Sequence, residues 1–388
     1  MKRFAILLAA VSTLLALAAC GSGSGTSTPT FNTLKGDTPI VIAHRGASGE
    51  LPEHTLEGYK LAISQGATCI EPDLELTKDG IIIARHEPML DDTTNVAEVF
   101  PAARKSTRSL DGVTTTAYFS SDFTLAEIKT LFAKQPRPSR PQQFNASYRI
   151  PTLDEVIALA QAEGARLGKS VCIYPEIKHS TFHASVVNFG TNTFENKLVA
   201  TLHAAYGNTT TAPVFIQSFE VSNLQYLRTQ TKIKLVQLID ADDVNADGSL
   251  ALVAPYNKPY DFAIKNDTRT FADLLKPAGL DFIKTYADGI GPWKPYLVKT
   301  VADNVDRNAD GKIDLNDRRV DGSTGVIELA HSKGLLVHAF TFRNDASGYG
   351  FKDPKAEMQY YFRLGADGLF TDFTATGVEA VKGLLRGL

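Results

Sequence analysis

Short apolar runs with strand character alternate with helical stretches along most of this chain. Val41-Ile42-Ala43 is the first run, and Leu56 to Gln65 has the spacing of the helix after it. Cys69 to Leu76 is the second run. Val171 to Ile177, preceded by a helix from about Leu153 to Leu167, is the third. Val214 to Phe219, Leu235 to Ile239, Gly289 with its neighbours, Leu335 to Phe340 and Gly368 to Phe370 complete the series. Strands that alternate with helices join through right-handed crossovers and build a parallel sheet. About eight such units predict an α/β fold of the TIM type, a closed (β/α)8 barrel. An open doubly wound sheet would need a Gly-rich nucleotide turn after the first strand. His44-Arg45-Gly46-Ala47-Ser48-Gly49 does not supply one.

Two regions break the alternation. Residues 95–150 are a polar insertion rich in Ser, Thr, Pro and Arg, after the second strand and its hairpin. Residues 303–321 are a charged, Asp-rich loop. The N-terminus departs in another way. Lys2 and Arg3 precede an apolar run from Phe4 to Ala19, too short for a spanning helix and typical of a signal segment. Its end, Leu17-Ala18-Ala19-Cys20, resembles a bacterial lipobox. That resemblance implies a signal peptide over residues 1–19, a lipidated Cys20, an exported protein and a membrane anchor. Residues 20–36 read as a flexible Gly/Ser/Thr tether, and residues 37–388 as the barrel domain.

Composition adds little beyond exclusions. The chain has 388 residues, 43% hydrophobic and 21% charged, with a net charge of −3. That balance supports a large core and excludes nucleic acid as the main partner. Three Cys exclude a disulfide scaffold. Cys69 and Cys172 fall on predicted neighbouring strands, and neither sits in a loop needing a staple, so both are expected as buried free thiols. Nothing in the sequence specifies an oligomeric state.

Polar residues collect at the ends of the predicted strands. His44-Arg45 follows the first. Glu71 and Asp73 share one strand face, as do Glu176 and Lys178, because side chains alternate with period two. In a barrel these faces point inward near the C-terminal mouth, where inward charges need partners or a metal. Thr77-Lys78-Asp79-Gly80 signals a hairpin turn. Pairing residues that sum to about 159 would set His86 opposite Asp73. Hard oxygen ligands at Glu71, Asp73 and Glu176 suit Ca²⁺ or Mg²⁺. Arg45 and Lys178 suit phosphate oxygens, and His44 and His86 suit general acid and base roles.

These residues stand in a wider pattern. His44-Arg45-Gly46-Ala47-Ser48-Gly49, Pro52-Glu53-His54-Thr55, Glu71-x-Asp73, Thr77-Lys78-Asp79-Gly80 and His86 together resemble the glycerophosphodiester phosphodiesterase signature. Ile150-Pro151-Thr152-Leu153, Pro175-Glu176-Ile177-Lys178, Gln217-Ser218-Phe219, Val337-His338 and Gly368-Leu369-Phe370-Thr371-Asp372 follow in that family's order. The likeness is nearest to its bacterial exported branch. It implies metal ligands at Glu71, Asp73 and Glu176, catalytic histidines at His44 and His86, and phosphate contacts at Arg45 and Lys178. It also implies a two-step hydrolysis of glycerophosphodiesters to sn-glycerol 3-phosphate and an alcohol. The family has His-Asp where this chain has His86-Glu87, and Glu87 is expected to point away from His86. Phe219 and Phe340 fall at pocket positions. The rival readings are a phospholipase on the same barrel, which would need an apolar rim, and a non-catalytic surface lipoprotein, which would not need both histidines.

A second metal signal lies elsewhere. Asp306, Asn308, Asp310, Lys312, Asp314 and Asp317 occupy places 1, 3, 5, 7, 9 and 12 of a Ca²⁺-loop template, with Gly311 at place 6. A structural Ca²⁺ is expected there, weakened by Asp rather than Glu at place 12. Asp243 to Gly248 begins alike but has Ala254 at the twelfth place, and reads as a polar turn.

Overall fold

The computed structural model describes residues 30–385 other than 308, 347, 349 and 352. The signal segment, Cys20 and Asn308 lie outside the described residues. Eight strands form the body. They are β1 (Ile40–His44), β2 (Cys69–Glu71 and Asp73–Leu76, broken at Pro72), β3 (Cys172–Ile173 and Glu176–Ile177, broken at Tyr174-Pro175), β4 (Phe215–Ser218), β5 (Lys234–Ile239), β6 (Gly289–Pro292), β7 (Leu336–Phe342) and β8 (Gly368–Thr371). Each prolyl break follows from the missing N–H, which cannot join the ladder. Every neighbouring pair from β1 to β8 is parallel, and β8 pairs with β1. The ring is therefore closed, as the alternation predicts.

Each strand is followed by a helix of seven residues or more, with shorter helical turns between some of them: α1 (Leu56–Gln65), α2 (Leu153–Leu167), α3 (Thr193–Tyr206), α4 (Val221–Gln230), α5 (Pro277–Lys284), α6 (Val326–Ser332), α7 (Pro354–Leu364) and α8 (Thr374–Leu385). Their boundaries follow local chemistry. Thr152 and Glu155 form a capping box at the start of α2, and Gly168 ends it in the left-handed region. The main core lies between helices and strands. Inside the ring, Ile42, Tyr174, Val236 and Phe370 pack with Cys69 and Cys172 into an apolar floor.

That floor corrects one expectation. Cys69 and Cys172 are disulfide-bonded. The two residues are register partners on adjacent parallel strands, and period two turns both into the barrel. The bridge joins strand to strand and not loop to loop, so the absence of a loop at either cysteine does not bear on it.

The insertion packs Tyr118, Phe123, Ile128 and Leu131 against Ile83 and Leu90 of the preceding segment, in an apolar cluster apart from the main core. Its hairpin, Ser106–Leu110 paired with Val113–Ala117, turns at Asp111-Gly112, where both residues have positive φ. Such a turn matches strand twist. The Asp243 segment forms a small hairpin against Leu250–Ala251, so the polar-turn reading holds.

Candidate active site

The β1–α1 turn builds the first part of the site. Arg45 has φ 59 and Gly46 φ 89. A Cβ at Gly46 would stand 2.9 Å from the Gly58 carbonyl carbon, so the turn needs a glycine there. The turn is held by Arg85, wholly buried, which donates to the carbonyls of Glu53 and His54. His44 ends β1 and points into the mouth. Its Nδ1 lies 2.6 Å from Asp372 Oδ1. Arg140 and Arg343 both donate to Asp372 Oδ2. Burial and the neighbouring Arg45 pull the His44 imidazole down to about 4.

Glu71, Asp73 and Glu176 converge. One ligand oxygen from each lies within 4.8 Å of the others, and all three residues are buried. Among the described residues no other set of three metal-capable side chains meets this geometry. β2 and β3 create it, because Asp73 and Glu176 are register partners. The Arg45 N–H donates to Glu71 Oε2 at 2.8 Å, and Gln217 Nε2 donates to Glu71 Oε1 at 2.9 Å. His54 Nε2 lies 3.0 Å from Asp73 Oδ2, while Asp73 Oδ1 has no donor. Burial and the adjacent Asp73 carboxylate push Glu71 well up. Burial is the main cause that raises Glu176 to about 8, with Lys178 opposing it. Asp73 is held low: burial would raise it, but the His54 hydrogen bond and nearby cations outweigh that.

Lys178 Nζ lies 3.2 Å from Glu176 Oε1 and 3.2 Å from His86 Nε2. Arg45 joins Glu53 at 3.1 Å and leaves its Nε without a hydrogen-bond partner. All seven residues named from the sequence therefore meet at one mouth. They border a cavity of about 470 Å³, except Asp73, which lies beneath it. Phe219 and Phe340 also line this cavity, with ring centroids 6.0 Å apart. The insertion roofs one side with Leu110 and Val113, and Met89 stands just before it.

Two expectations need correction. The hairpin pairs Leu74 with Ala84 and Glu75 with Ile83, so partners sum to 158. Arg85, not His86, therefore stands opposite Asp73, and its N–H donates to the Asp73 carbonyl. The turn fixes register, and one residue more or less flips every face. His86 still reaches the mouth because the return strand ends at Ala84, which frees it from the pleat. The same release turns Glu87 toward His86, not away: its Oε1 lies 2.9 Å from His86 Nδ1. Sequence reasoning assigned no role to Asp372, His54, Glu53, Arg85 or Gln217. Several stand in the motifs quoted above, but only the ring closure of β8 against β1 shows Asp372 behind His44.

The sequence model of the Glycerophosphoryl diester phosphodiesterase family matches residues 44–376. The chain belongs to that family. Among curated relatives, Glycerophosphodiester phosphodiesterase GDPD6 of Arabidopsis thaliana is 37% identical, over 88% of this chain and 86% of that protein. The Glycerophosphodiester phosphodiesterase of Haemophilus influenzae is 32% identical, over 97% of this chain and 98% of its own length. Two solved structures share the fold. A phosphodiesterase from Oleispira antarctica, in complex with the product sn-glycerol-3-phosphate, superposes with TM-score 0.53 at 18% identity, over 90% of this chain and 99% of that one. A glycerophosphodiester phosphodiesterase from Parabacteroides distasonis gives 0.52 at 13%, over 90% and 99%. As a glycerophosphodiester phosphodiesterase, this chain places its polar residues where barrel enzymes keep their chemistry, at the C-terminal ends of the strands.

The Ca²⁺-loop segment is built differently from the mouth. Asp306 carboxylate oxygens accept the N–H groups of Asp310 and Gly311, and Asp310 Oδ1 accepts that of Lys312. Asp317, buried, accepts from the N–H of Asp314. Among the described residues these carboxylates do not gather as Glu71, Asp73 and Glu176 do. No helix among the described residues is long and apolar enough to cross a membrane.

Proposed function

We propose that this enzyme hydrolyses glycerophosphodiesters to sn-glycerol 3-phosphate and an alcohol, using one divalent cation and the His44–His86 pair. One observation carries the reading: three buried carboxylates meet beside two imidazoles, with Arg45 and Lys178 next to them. The donor set fits a hard ion. It is all oxygen, Asp73 Oδ1 lacks a donor, and Glu71 and Glu176 stay pushed up even with Lys178 beside Glu176 and Arg45 beside Asp73. Ca²⁺ and Mg²⁺ both take such ligands. Held by Glu71, Asp73 and Glu176, the ion would polarise a phosphoryl oxygen and neutralise developing charge.

The remaining roles fall to the chain's own groups. Arg45 and Lys178 hold the other phosphate oxygens. Lys178, beside His86 Nε2, favours the neutral imidazole; burial is the larger cause of its lowered pKa, followed by Arg45 and Lys178. Asp372 and Glu87 fix the orientation of His44 and His86 through their Nδ1 atoms. In the first step one imidazole takes the proton of a free glycerol hydroxyl. That oxygen bonds to phosphorus as the bond to the alcohol oxygen breaks, and the other imidazole gives its proton to the leaving oxygen. Water then opens the cyclic phosphate, with the proton transfers reversed. His44→Ala and His86→Ala should each lower turnover of glycerophosphocholine by roughly 10²–10⁴-fold while circular dichroism stays unchanged. Near-normal turnover in either variant would overturn the assignment.

Two further readings rest on sequence pattern. Lipidation at Cys20, with export to a membrane face, is supported by Leu17-Ala18-Ala19-Cys20; the mass of the mature N-terminus tests it. A structural Ca²⁺ in the 306–317 loop is supported by the template spacing, and calorimetry on Asp306→Asn tests it.

A further inference from the structure

The mouth has two chemically different halves. β1, β2 and β3 bring the acid trio, the histidines and the phosphate-binding cations. The facing half, at the ends of β4 to β7, brings aromatic rings: Phe219 after β4, Tyr256 after β5, Trp293 after β6 and Phe340 on β7. Between them stand carboxylates. Glu220 follows Phe219, Asp240 follows β5, and Asp111 comes from the tip of the insertion hairpin.

Asp111 has the His179 imidazole 3.8 Å from its Oδ2, but Asp240 and Glu220 lack a paired cation among the described residues. Lys178 pairs with Glu176, Lys258 donates to the Asp267 carbonyl, and Arg343 binds Asp372. Glu220 accepts only from the Thr181 N–H and hydroxyl. Asp111 Oδ1 is buried without a hydrogen-bond partner. Burial raises Asp240 to about 6 and Glu220 to about 7, as expected of carboxyls that lack a counter-charge. Aromatic faces backed by carboxylates attract a desolvated cation, and quaternary ammonium groups above all.

We infer that this half of the mouth is a head-group subsite for a quaternary ammonium alcohol, so that the enzyme selects diesters of choline over neutral diesters. This deepens the proposed function and rests on it. Arg45, Lys178 and the rings line one cavity of about 470 Å³, so the alcohol of a diester whose phosphate is held by the two cations is within reach of the rings. A neutral polyol there would leave Asp240 and Glu220 unpaired. Tyr256 is 53% exposed at the rim, so replacing it does not disturb a packed core.

The test compares glycerophosphocholine with glycerophosphoglycerol. In the wild type, kcat/KM should favour the choline diester by about tenfold or more. Tyr256→Ala and Asp240→Asn should each reduce that ratio severalfold. Choline itself should bind the wild type in calorimetry, and bind Asp240→Asn more weakly. A wild-type ratio near one, or a ratio unmoved in both variants, overturns the inference; so does a lack of choline binding. A chain that binds choline yet hydrolyses neither diester would sink the proposed function and leave the subsite standing.

Discussion

His44 owes its orientation to one carboxylate that is itself held by two guanidinium groups. Asp372 is buried and kept well below the usual carboxylate range: burial would raise it, but His44, Arg343 and Arg140 outweigh that. Asp372→Asn keeps the shape and removes the charge that steadies an imidazolium. Turnover should fall by roughly 10²–10⁴-fold, read as sn-glycerol 3-phosphate release; an unchanged kcat would remove Asp372 from the machinery. His179 is a structural counterpart. Its Nδ1 lies 2.7 Å from Glu75 Oε1. Burial lowers its pKa, but Glu75 outweighs this and raises it to about 9. The folded value exceeds the ordinary 6.5, so the pair stabilises fully below pH 6.5 and the contribution is lost as pH rises toward 9. His179 has φ 49, a region that Asn tolerates. Unfolding free energy measured from pH 6.5 to 9 should fall in the wild type and fall less in His179→Asn. At this scale the sequence was informative where chemistry is local. His44, Arg45, Glu71, Asp73, Glu176 and Lys178 stood out because charge on an apolar strand demands a reason. Asp372 did not, because it sits 328 residues from His44.

Strand pairing decides what the elements contribute. The disulfide joins β2 to β3 across 103 residues of sequence, and a constraint of that length restricts the unfolded chain strongly. Cys172→Ser should cost about 2–4 kcal/mol in denaturant unfolding, and a reductant should have a similar effect on the wild type. Equal stability with and without the bridge would show that it adds nothing. The insertion is a second case. Its cluster, including Leu131 and Ile128, is fully buried. Leu131→Ala should cost about 2–5 kcal/mol and disturb the cavity roof, with KM rising before kcat falls; a stability within error of the wild type would deny this cluster a part in holding the fold. Element order was legible from alternation alone, because a period-two run and a 3.6-period run bury different faces. The hairpin register was not. A four-residue turn signal admits partners summing to 158 or 159, and only the realised turn at Thr77 to Gly80 chooses between them.

The whole molecule is a barrel that gathers three buried carboxylates at its mouth, a set that could hold a cation. A bound cation stabilises the folded state alone, by RT ln(1 + [L]/Kd), about 2.7 kcal/mol at a hundredfold excess over Kd. Adding Ca²⁺, Mg²⁺ or Mn²⁺ to chelator-treated enzyme should therefore raise both Tm and activity, and Glu71→Gln should abolish both responses. Full activity in chelator would remove the ion from the chemistry. The sequence by itself determined the βα alternation, the eight-fold count, the inward carboxylates and the family. Those depend on periodicity and on residue types that cannot be buried without cause. Tertiary structure alone decided that Cys69 meets Cys172, that Asp372 stands behind His44, that Glu87 turns back to His86, and that aromatic rings from four strand ends share one wall. The Glu87 contact depends on where the return strand ends, at Ala84; the others exist only once strands far apart in the chain have paired, because pairing sets register, and register is a property of pairs.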